Sequence, residues 1–352
     1  REEMPNSCIH QTSPDNLIIA TAYNHKQQGK KAIFVSKDIN ARLKADALGI
    51  EVQDFEKEKA DFDTLYTGWR ELMVPAATVN EFYQHELLPV EGAGLLSNEF
   101  VLLMDETNPK HTGIGRAVDS GRLKHLSSSN DVAWRVKPRS KEQRMALELL
   151  LDPEVDLVTL IGQAGTGKTL LALAAGLAMT LTDERYEKLL VSRPVIPLGR
   201  DIGYLPGTKD EKMKLWMQPI FDNLSYLMSL QHNGNEEEPT QQLVARLIKN
   251  EDVELEALTY IRGRSISKQF VVVDEAQNLT PHEVKTIISR VGEGTKMVMT
   301  GDPEQIDNPY LDSSSNGLTY TVERLKGRQG FGHVTLTKSE RSRLSSLAAE
   351  YL

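Results

Sequence analysis

The sequence has 352 residues, enough for two or three domains with sizeable hydrophobic cores. Its longest mainly apolar run, Leu170–Leu181, is too short to cross a bilayer and predicts a buried helix. The net charge of −9 argues against a general nucleic-acid coat. A single cysteine, Cys8, excludes an internal disulfide and a thiolate-clustered metal site, so we expect a reducing, cytoplasmic location.

Helices and strands alternate over residues 15–53. A first helix is predicted to begin at Pro14 and to end at Gly29. A short apolar strand follows at Ala32–Ser36, then a second helix up to Gly49 and a second strand. This alternation predicts an α/β layer with a parallel sheet.

The pattern changes near Thr67. Short apolar segments such as Glu99–Met104 lie among turn residues and predict a small β-rich connecting module. We therefore predict three parts, at residues 1–66, 67–137 and 138–352.

Positive charge is concentrated between Lys110 and Arg144, where nine lysines and arginines face three acids. A local cationic stripe can bind a phosphate backbone even on an acidic protein. A solvated face or a linker explains the same charge, and the sequence leaves both interpretations open.

Strands and helices alternate again after Ser140, as in a parallel α/β sheet. The predicted strands are Asp156–Ile161, Lys188–Ser192, Gln269–Asp274, Thr295–Thr300 and Val334–Thr337. The predicted helices are Lys168–Leu181, Asp210–Leu230, Pro281–Val291 and one at the end of the chain.

A glycine-rich loop between a predicted strand and helix matches the pattern G-x-x-x-x-G-K-[ST]. Its glycines let backbone N–H groups surround a phosphate at the start of a helix. Lys168 is expected to reach the β- and γ-phosphates of ATP, and the Thr169 hydroxyl to bind Mg²⁺. The predicted nucleotide-binding residues are Gly162, Gln163, Ala164, Gly165, Thr166, Gly167, Lys168 and Thr169.

Two acids, Asp274 and Glu275, end the strand that begins at Gln269. The carboxyl end of such a strand lies at the sheet edge that carries the phosphate-binding loop. Asp274 is therefore predicted to bind Mg²⁺, directly or through water, and Glu275 to polarise the attacking water.

Four further residues are candidates for the same site. Gln305, at the end of another strand, is predicted to contact the γ-phosphate or the water, and Gln143 to read the adenine edge. Charge on the transferring phosphoryl group requires further cations, for which Arg264 and Arg341 are the candidates. The alternatives without ligand are a plain turn for Gln305, an exposed helix position for Gln143, and helix-end or surface arginines for Arg264 and Arg341.

The motifs GQAGTGKT, VVVDEAQN and TGDPEQIDNPYLDSSSNGL resemble those of PhoH-like ATPases, relatives of superfamily 1 helicases with one RecA-type domain. Arg193-Pro194 leading to Gly199 and Leu205-Pro206-Gly207 fits the same pattern. The resemblance covers about residues 138–352 and implies a hexameric ring in which a neighbour supplies an arginine, here Arg341 or Arg264.

The first fifty residues resemble the second half of a PIN ribonuclease domain, on the stretches around Asp15 and Asp38. The resemblance implies that these two acids bind Mg²⁺ or Mn²⁺, although capping of helix starts would also favour acids there. A PIN site needs further acids upstream, and Glu2 and Glu3 do not lie in a matching context. Because the chain also lacks an initial Met, we expect that residues precede it.

Together the two resemblances imply an ATPase that moves along single-stranded RNA, unwinds it and delivers it to a ribonuclease. The alternative is an ATP-driven RNA- or protein-remodelling ATPase with a non-catalytic PIN scaffold. A metabolic P-loop kinase is disfavoured, because Asp-Glu-Ala-Gln followed by Gly-Asp-Pro-Glu-Gln is a helicase-like pairing.

Overall fold

Mixed helices and strands make up the computed structural model, which describes residues 14–36, 38–53, 65–90, 92–194, 216–231, 239–261 and 265–338. The chain is divided into two compact units, Arg1–Lys59 and Ala60–Leu352. Within the described ranges, no helix combines the length and apolar character needed to span a membrane.

The first unit confirms the predicted α/β alternation. Its elements are helix α1 (Pro14–Gln27), strand β1 (Ile33–Val35), helix α2 (Ile39–Ala47) and strand β2 (Glu51–Gln53). The two strands pair in parallel. One small apolar core holds the elements together, with buried Ile19, Phe34, Ala41, Ala45 and Ile50.

The second unit contains the predicted β-rich module as a five-stranded sheet. Its strands are β3 (Trp69–Val74), β4 (Leu87–Pro89), β5 (Phe100–Asp105), β6 (Thr112–Asp119) and β7 (Arg122–His125), in the order β3-β5-β6-β7-β4. The β3–β5 pair is parallel and the other pairs are antiparallel. Helix α3 (Ala76–Gln84) covers the sheet with Phe82, and a Cβ at Gly113 would lie 2.7 Å from that ring.

The rest of the second unit is built on a six-stranded, wholly parallel sheet in the order β10-β9-β11-β12-β8-β13. Its strands are β8 (Leu157–Gly162), β9 (Lys188–Arg193), β10 (Val253–Ala257), β11 (Gln269–Val273), β12 (Lys296–Gly301) and β13 (Phe331–Leu336). The helices are α4 (Lys141–Leu151), α5 (Lys168–Leu177), α6 (Gln218–Gln231), α7 (Thr240–Lys249), α8 (Leu258–Ile261), α9 (Pro281–Ile288) and α10 (Gly317–Leu325).

Strand β11 shows why the sheet strands are apolar at consecutive positions. Phe270 and Val272 belong to one apolar cluster, whereas Val271 and Val273 belong to another. Since successive side chains point to opposite faces of a strand, a sheet covered on both faces needs apolar residues at every position.

Most predicted elements agree with the structure to within a few residues. The predicted helix Lys168–Leu181 is wrong in its last turn, because α5 ends at Leu177 and the chain continues as a π-helix, Ala178–Thr182. Strand β13 begins three residues before the predicted Val334. The apolar pattern did not include His333, because histidine is polar. His333 is nevertheless buried, and its Nδ1 lies 2.8 Å from the Thr159 hydroxyl. Residues 210–215 and the terminal helix lie outside the described part of the chain.

Much of the cationic stretch between residues 110 and 144 is engaged in ion pairs. Arg116 is buried and pairs with Asp152 at 2.6 Å, which ties the β-rich module to the chain after α4. Three other members also pair with carboxylates, namely Arg122, Lys141 and Arg144. The solvated-face interpretation therefore accounts for Arg122, whereas Arg116 is a structural residue.

The end of helix α4 depends on one buried lysine. Lys296, the first residue of β12, is 1% exposed, and its ammonium donates to the carbonyls of Leu149, Asp152 and Val155 at 2.8, 2.7 and 2.6 Å. The last carbonyls of a helix have no partner within the helix, so these bonds satisfy buried carbonyls at and after the end of α4. The Asp152 carbonyl also accepts the Val155 N–H at 3.3 Å.

Replacing Lys296 with methionine keeps the volume and removes all three donors. We expect the free energy of unfolding to fall by about 3–5 kcal/mol, because buried carbonyls lose their partners. Urea unfolding followed by circular dichroism measures the change. The exposed Lys285→Met variant is the control and should change stability by less than about 0.5 kcal/mol. Equal stability of the two variants would contradict this role.

Candidate nucleotide site

The glycine-rich loop and the predicted acids Asp274 and Glu275 meet at one edge of the six-stranded sheet. Strands β9, β11, β12 and β8 are adjacent and parallel, so their carboxyl ends lie side by side. The chain leaves these ends at Arg193, Asp274, Asp302 and the glycine-rich loop. Ligands of open parallel sheets bind at this edge.

The glycine-rich loop has a backbone that requires glycine. Gly165 and Gly167 adopt φ values of 86° and 88°, in the left-handed region that other residues rarely occupy. Gly167 is also the N-cap of α5, so the loop passes directly into the start of a ten-residue helix. This geometry leaves the first N–H groups of α5 available to a phosphate.

Lys168 bridges the glycine-rich loop. Its ammonium donates to the carbonyls of Gly162 and Gln163 at 2.5 and 2.9 Å. The side chain is nearly buried at 9% exposure. A lysine held against its own loop lies where the β- and γ-phosphates are expected.

Asp274 and Thr169 come together as the sequence predicts for a magnesium site. The Thr169 and Thr300 hydroxyls donate to Asp274 Oδ1 at 2.8 and 2.6 Å. Burial raises the pKa of Asp274, and the charge of Glu275 raises it further, while the hydroxyls and Arg193 oppose the shift. A hydroxyl and a carboxylate are hard oxygen ligands, so this pair fits Mg²⁺.

Glu275 occupies an unusual backbone position. Its φ of 57° lies in the left-handed region, and its side chain is 39% exposed. Arg193 donates to Oε1 at 3.2 Å and Gln277 donates to Oε2 at 2.7 Å. Non-glycine residues in such conformations cluster at functional sites. Both carboxylate oxygens are therefore held in place while part of the side chain faces solvent.

Gln277 and Asp302 are site residues that the sequence did not single out, although both lie within the motifs. Gln277 is fully buried, donates to the Gln305 carbonyl at 2.9 Å and accepts from Asp302 N at 3.2 Å. Asp302 Oδ2 accepts the N–H of Ala164 in the loop at 3.1 Å. Burial raises the pKa of Asp302, and the positive charge of nearby Lys168 opposes this.

Arg193 is the third functional residue for which the sequence assigned no role. It ends β9, and its guanidinium lies 3.3 Å from Asp274 Oδ2 and 3.2 Å from Glu275 Oε1. The signals in the sequence were its place directly after the predicted strand Lys188–Ser192 and its part in the Arg193-Pro194 pattern of the resemblance.

The two predicted glutamines differ in their surroundings. Gln305 is exposed, and its backbone carbonyl rather than its side chain joins the network through Gln277. Gln143 is buried; it donates to the Thr166 carbonyl of the loop at 3.0 Å and accepts from Arg139 N at 2.7 Å. Its contact with adenine remains a prediction.

Four predicted site residues remain, namely two arginines and two acids of the first unit. Arg264 and Arg341 lie outside the described residues. Asp15 is exposed in the first turn of α1, and Asp38 Oδ1 caps α2 by accepting from Asn40 N and Ala41 N at 2.7 and 3.2 Å. In the described part of the chain, no cluster of three or more His, Cys, Asp or Glu side chains could hold a metal.

Comparison with known proteins assigns both ends of the chain to families. The PhoH-like protein family matches residues 135–350, and a PIN domain family matches residues 1–56. Protein PhoH2 of Bacillus subtilis is 49% identical over 96% of this chain and 77% of its own length. Protein PhoH2 of Thermobispora bispora is 34% identical over 96% of this chain and 74% of its own length.

Among solved structures, Pif1 helicase from Candida albicans aligns with 61% of this chain and 43% of its own. The identity is 15% and the TM-score 0.31, too low to support a conclusion.

Because the Gln143 amide holds the loop backbone, we expect Gln143→Ala to weaken ATP and GTP binding alike. Loss of one hydrogen bond of about 1 kcal/mol corresponds to roughly a fivefold loss of affinity. Titration with fluorescent analogues of both nucleotides measures it, with the exposed Gln242→Ala as control. A loss confined to ATP would instead support the predicted contact with adenine.

Proposed function

The chain is a P-loop ATPase of the PhoH-like family with an N-terminal PIN domain, and on that premise we propose that it couples MgATP hydrolysis to translocation along single-stranded RNA and to metal-dependent RNA cleavage. The observation that supports the ATPase step is the meeting of Thr169, Asp274 and Glu275 beside the glycine-rich loop. Thr169 lies in α5 and the two acids follow β11, so the site exists only where these two elements meet.

Each residue has a defined task in the hydrolysis step. The loop backbone and Lys168 would hold the phosphates, while Thr169 and Asp274 would hold Mg²⁺. When bound, the metal would offset negative charge on the phosphates. Glu275 orients the water and accepts its proton, for which its partial exposure is suited. Gln305 senses the γ-phosphate side of the site.

A further positive charge beside the transferring phosphoryl group comes, in this proposal, from Arg264 or Arg341 of a neighbouring subunit in a hexameric ring. A single RecA-type domain contacts the nucleotide from one side only, and a neighbouring subunit contacts it from the other side. Developing charge on the transferring phosphoryl group is stabilised by such an arginine.

The proposed ribonuclease uses Asp15 and Asp38 with Mg²⁺ or Mn²⁺. Together with further acids, these two carboxylates would hold such an ion, which would activate water for attack on a phosphodiester. The capping bonds of Asp38 use Oδ1 in both cases, and Oδ2 is not involved in them.

A second candidate is an ATP-driven remodelling protein whose PIN part is a scaffold. It is favoured by the capping role of Asp38, which explains an acid at that position without a metal. ATP turnover would then drive release or rearrangement of an RNA or protein partner.

The ATPase step is tested by two variants. Lys168→Ala should abolish turnover, and Glu275→Gln should lower kcat by about 10²- to 10⁴-fold while nucleotide still binds, because only the base is lost. Phosphate release and analogue binding are measured in parallel. Glu293→Gln, an exposed acid elsewhere in the unit, should behave like the natural protein. Natural turnover in Lys168→Ala would overturn the site assignment.

The coupled nuclease is tested with full-length protein, Mg²⁺ or Mn²⁺, and labelled single-stranded RNA carrying a duplex tail. We expect cleavage in the natural protein, its loss in Asp15→Asn/Asp38→Asn, and progress into the duplex only with ATP. Asparagine is also a good N-cap, so the double variant should keep α2. RNA-stimulated ATPase without any cleavage would contradict the nuclease and favour the scaffold.

A further inference from the structure

We propose that Arg193 is a positioning residue that holds both acidic side chains of the nucleotide site and transmits the state of that site to Trp216. The inference rests on the proposed ATPase function. The sequence assigned Arg193 no role in the site and gave no sign of a route to Trp216.

The Arg193 guanidinium donates hydrogen bonds through its two Nη atoms, whereas its Nε approaches Asp274 as an ion pair without a hydrogen bond. Its Nε lies 3.3 Å from Asp274 Oδ2, and its Nη2 lies 3.2 Å from Glu275 Oε1. Its Nη1 donates to the Trp216 carbonyl at 2.9 Å. The side chain is 12% exposed, so these contacts are made largely away from water. A rigid planar fork of donors suits such simultaneous contacts better than a lysine would.

Neutral donors hold the remaining oxygens of the two acids. Asp274 Oδ1 accepts from Thr169 and Thr300, and Glu275 Oε2 accepts from Gln277. Each carboxylate is thus fixed on one side by hydroxyl or amide groups and on the other by Arg193. The position of the guanidinium therefore sets the positions of these two negatively charged side chains.

Arg193 and a divalent cation would place positive charge next to the same carboxylate. Like charges a few ångströms apart repel strongly in a site that excludes water. Arg193 should therefore loosen its contact with Asp274 when magnesium nucleotide binds, while Glu275 and Trp216 remain within its reach. The contact between Arg193 and Asp274 opposes metal binding and presets the position of Glu275.

Trp216 is placed to register that movement. The Arg193 guanidinium carbon lies 5.3 Å from the centre of the Trp216 ring, within the range of a cation–π contact. Trp216 lies just before α6, which packs against α5, the helix that begins at Lys168. A shift of Arg193 therefore alters the surroundings of an indole at the start of a helix that contacts the nucleotide-binding helix.

The chain has three tryptophans, so Trp216 can be made a single reporter by Trp69→Phe/Trp134→Phe. This reference protein is first matched to the natural protein in thermal unfolding and ATPase rate. Its emission is then recorded during titration with Mg²⁺ and a non-hydrolysable ATP analogue. We expect a saturable change that is absent when Lys168→Ala is added.

Arg193→Gln and Arg193→Lys are compared in the same background. Arg193→Gln should remove at least about 80% of the emission change and reduce the half-saturating Mg²⁺ concentration severalfold, because the competing charge is gone. It should also lower kcat at least tenfold with little change in KM, because Glu275 loses its position. Arg193→Lys should restore the Mg²⁺ requirement but not kcat, since it keeps the charge without the fork.

Lys188→Gln is the matched control. It removes one positive charge from the other end of the same strand, where Lys188 pairs with Glu254 at 2.8 Å. This variant should retain the emission change, the Mg²⁺ dependence and kcat. A general effect of charge on β9 would move these quantities in both variants and would overturn the proposal.

The failure of this inference is distinct from failure of the ATPase function. If the reference protein neither binds the analogue nor hydrolyses ATP, the proposed function fails. If it does both but Arg193→Gln keeps the natural Mg²⁺ dependence, emission change and kcat, the role of Arg193 is refuted. A lower kcat with natural Mg²⁺ dependence and emission change would also refute the transmission to Trp216.

Discussion

The arrangement of the nucleotide site depends on the hydrogen bond from Thr169 to the buried carboxylate of Asp274. It joins the first turn of α5 to the end of β11, although 105 residues separate the two in sequence. Thr300 at the end of β12 donates to the same oxygen, so three elements share one acceptor. A buried carboxylate is costly unless it is hydrogen-bonded and its charge is compensated. The two hydroxyls supply the hydrogen bonds, and the ion pair with Arg193 compensates the charge. The parallel order of the strands is what allows them to meet.

A second layer of polar contacts links the motifs to one another. Gln277 connects Glu275 with the Gln305 carbonyl and the Asp302 N–H, and Asp302 in turn accepts from the loop at Ala164. The loop, the acidic strand end and the strand end at Gly301 therefore form one hydrogen-bonded unit. Such networks hold functional groups rigidly when every member has a partner. A change in any one motif can therefore shift residues of the other motifs through these direct contacts.

The two units of the chain have apolar cores of different size. The ATPase part has a large apolar core on both faces of its sheet, which keeps the site residues on rigid strand ends. The PIN part has a core of five buried residues, and Asp38 there serves a helix start. An acid at a helix N-cap is compatible with a metal-binding role, because capping occupies only part of the carboxylate. The match to the PhoH-like family covers residues 135–350, most of the ATPase part, whereas the PIN match covers residues 1–56.

The sequence by itself determined the parallel α/β sheet, the glycine-rich loop and the acidic strand end, since each depends on local spacing: a buried strand, a turn of glycines and a helix start. It also predicted that Thr169 and Asp274 share a site, because parallel strands end at one edge. It did not reveal Arg193, Gln277 or Asp302 as site residues, or the tether from Gln143 to the loop. Those roles depend on which strands are neighbours and how side chains from distant segments pack. Only the tertiary structure decided them, because a hydrogen bond between residues far apart in sequence leaves no periodic signal.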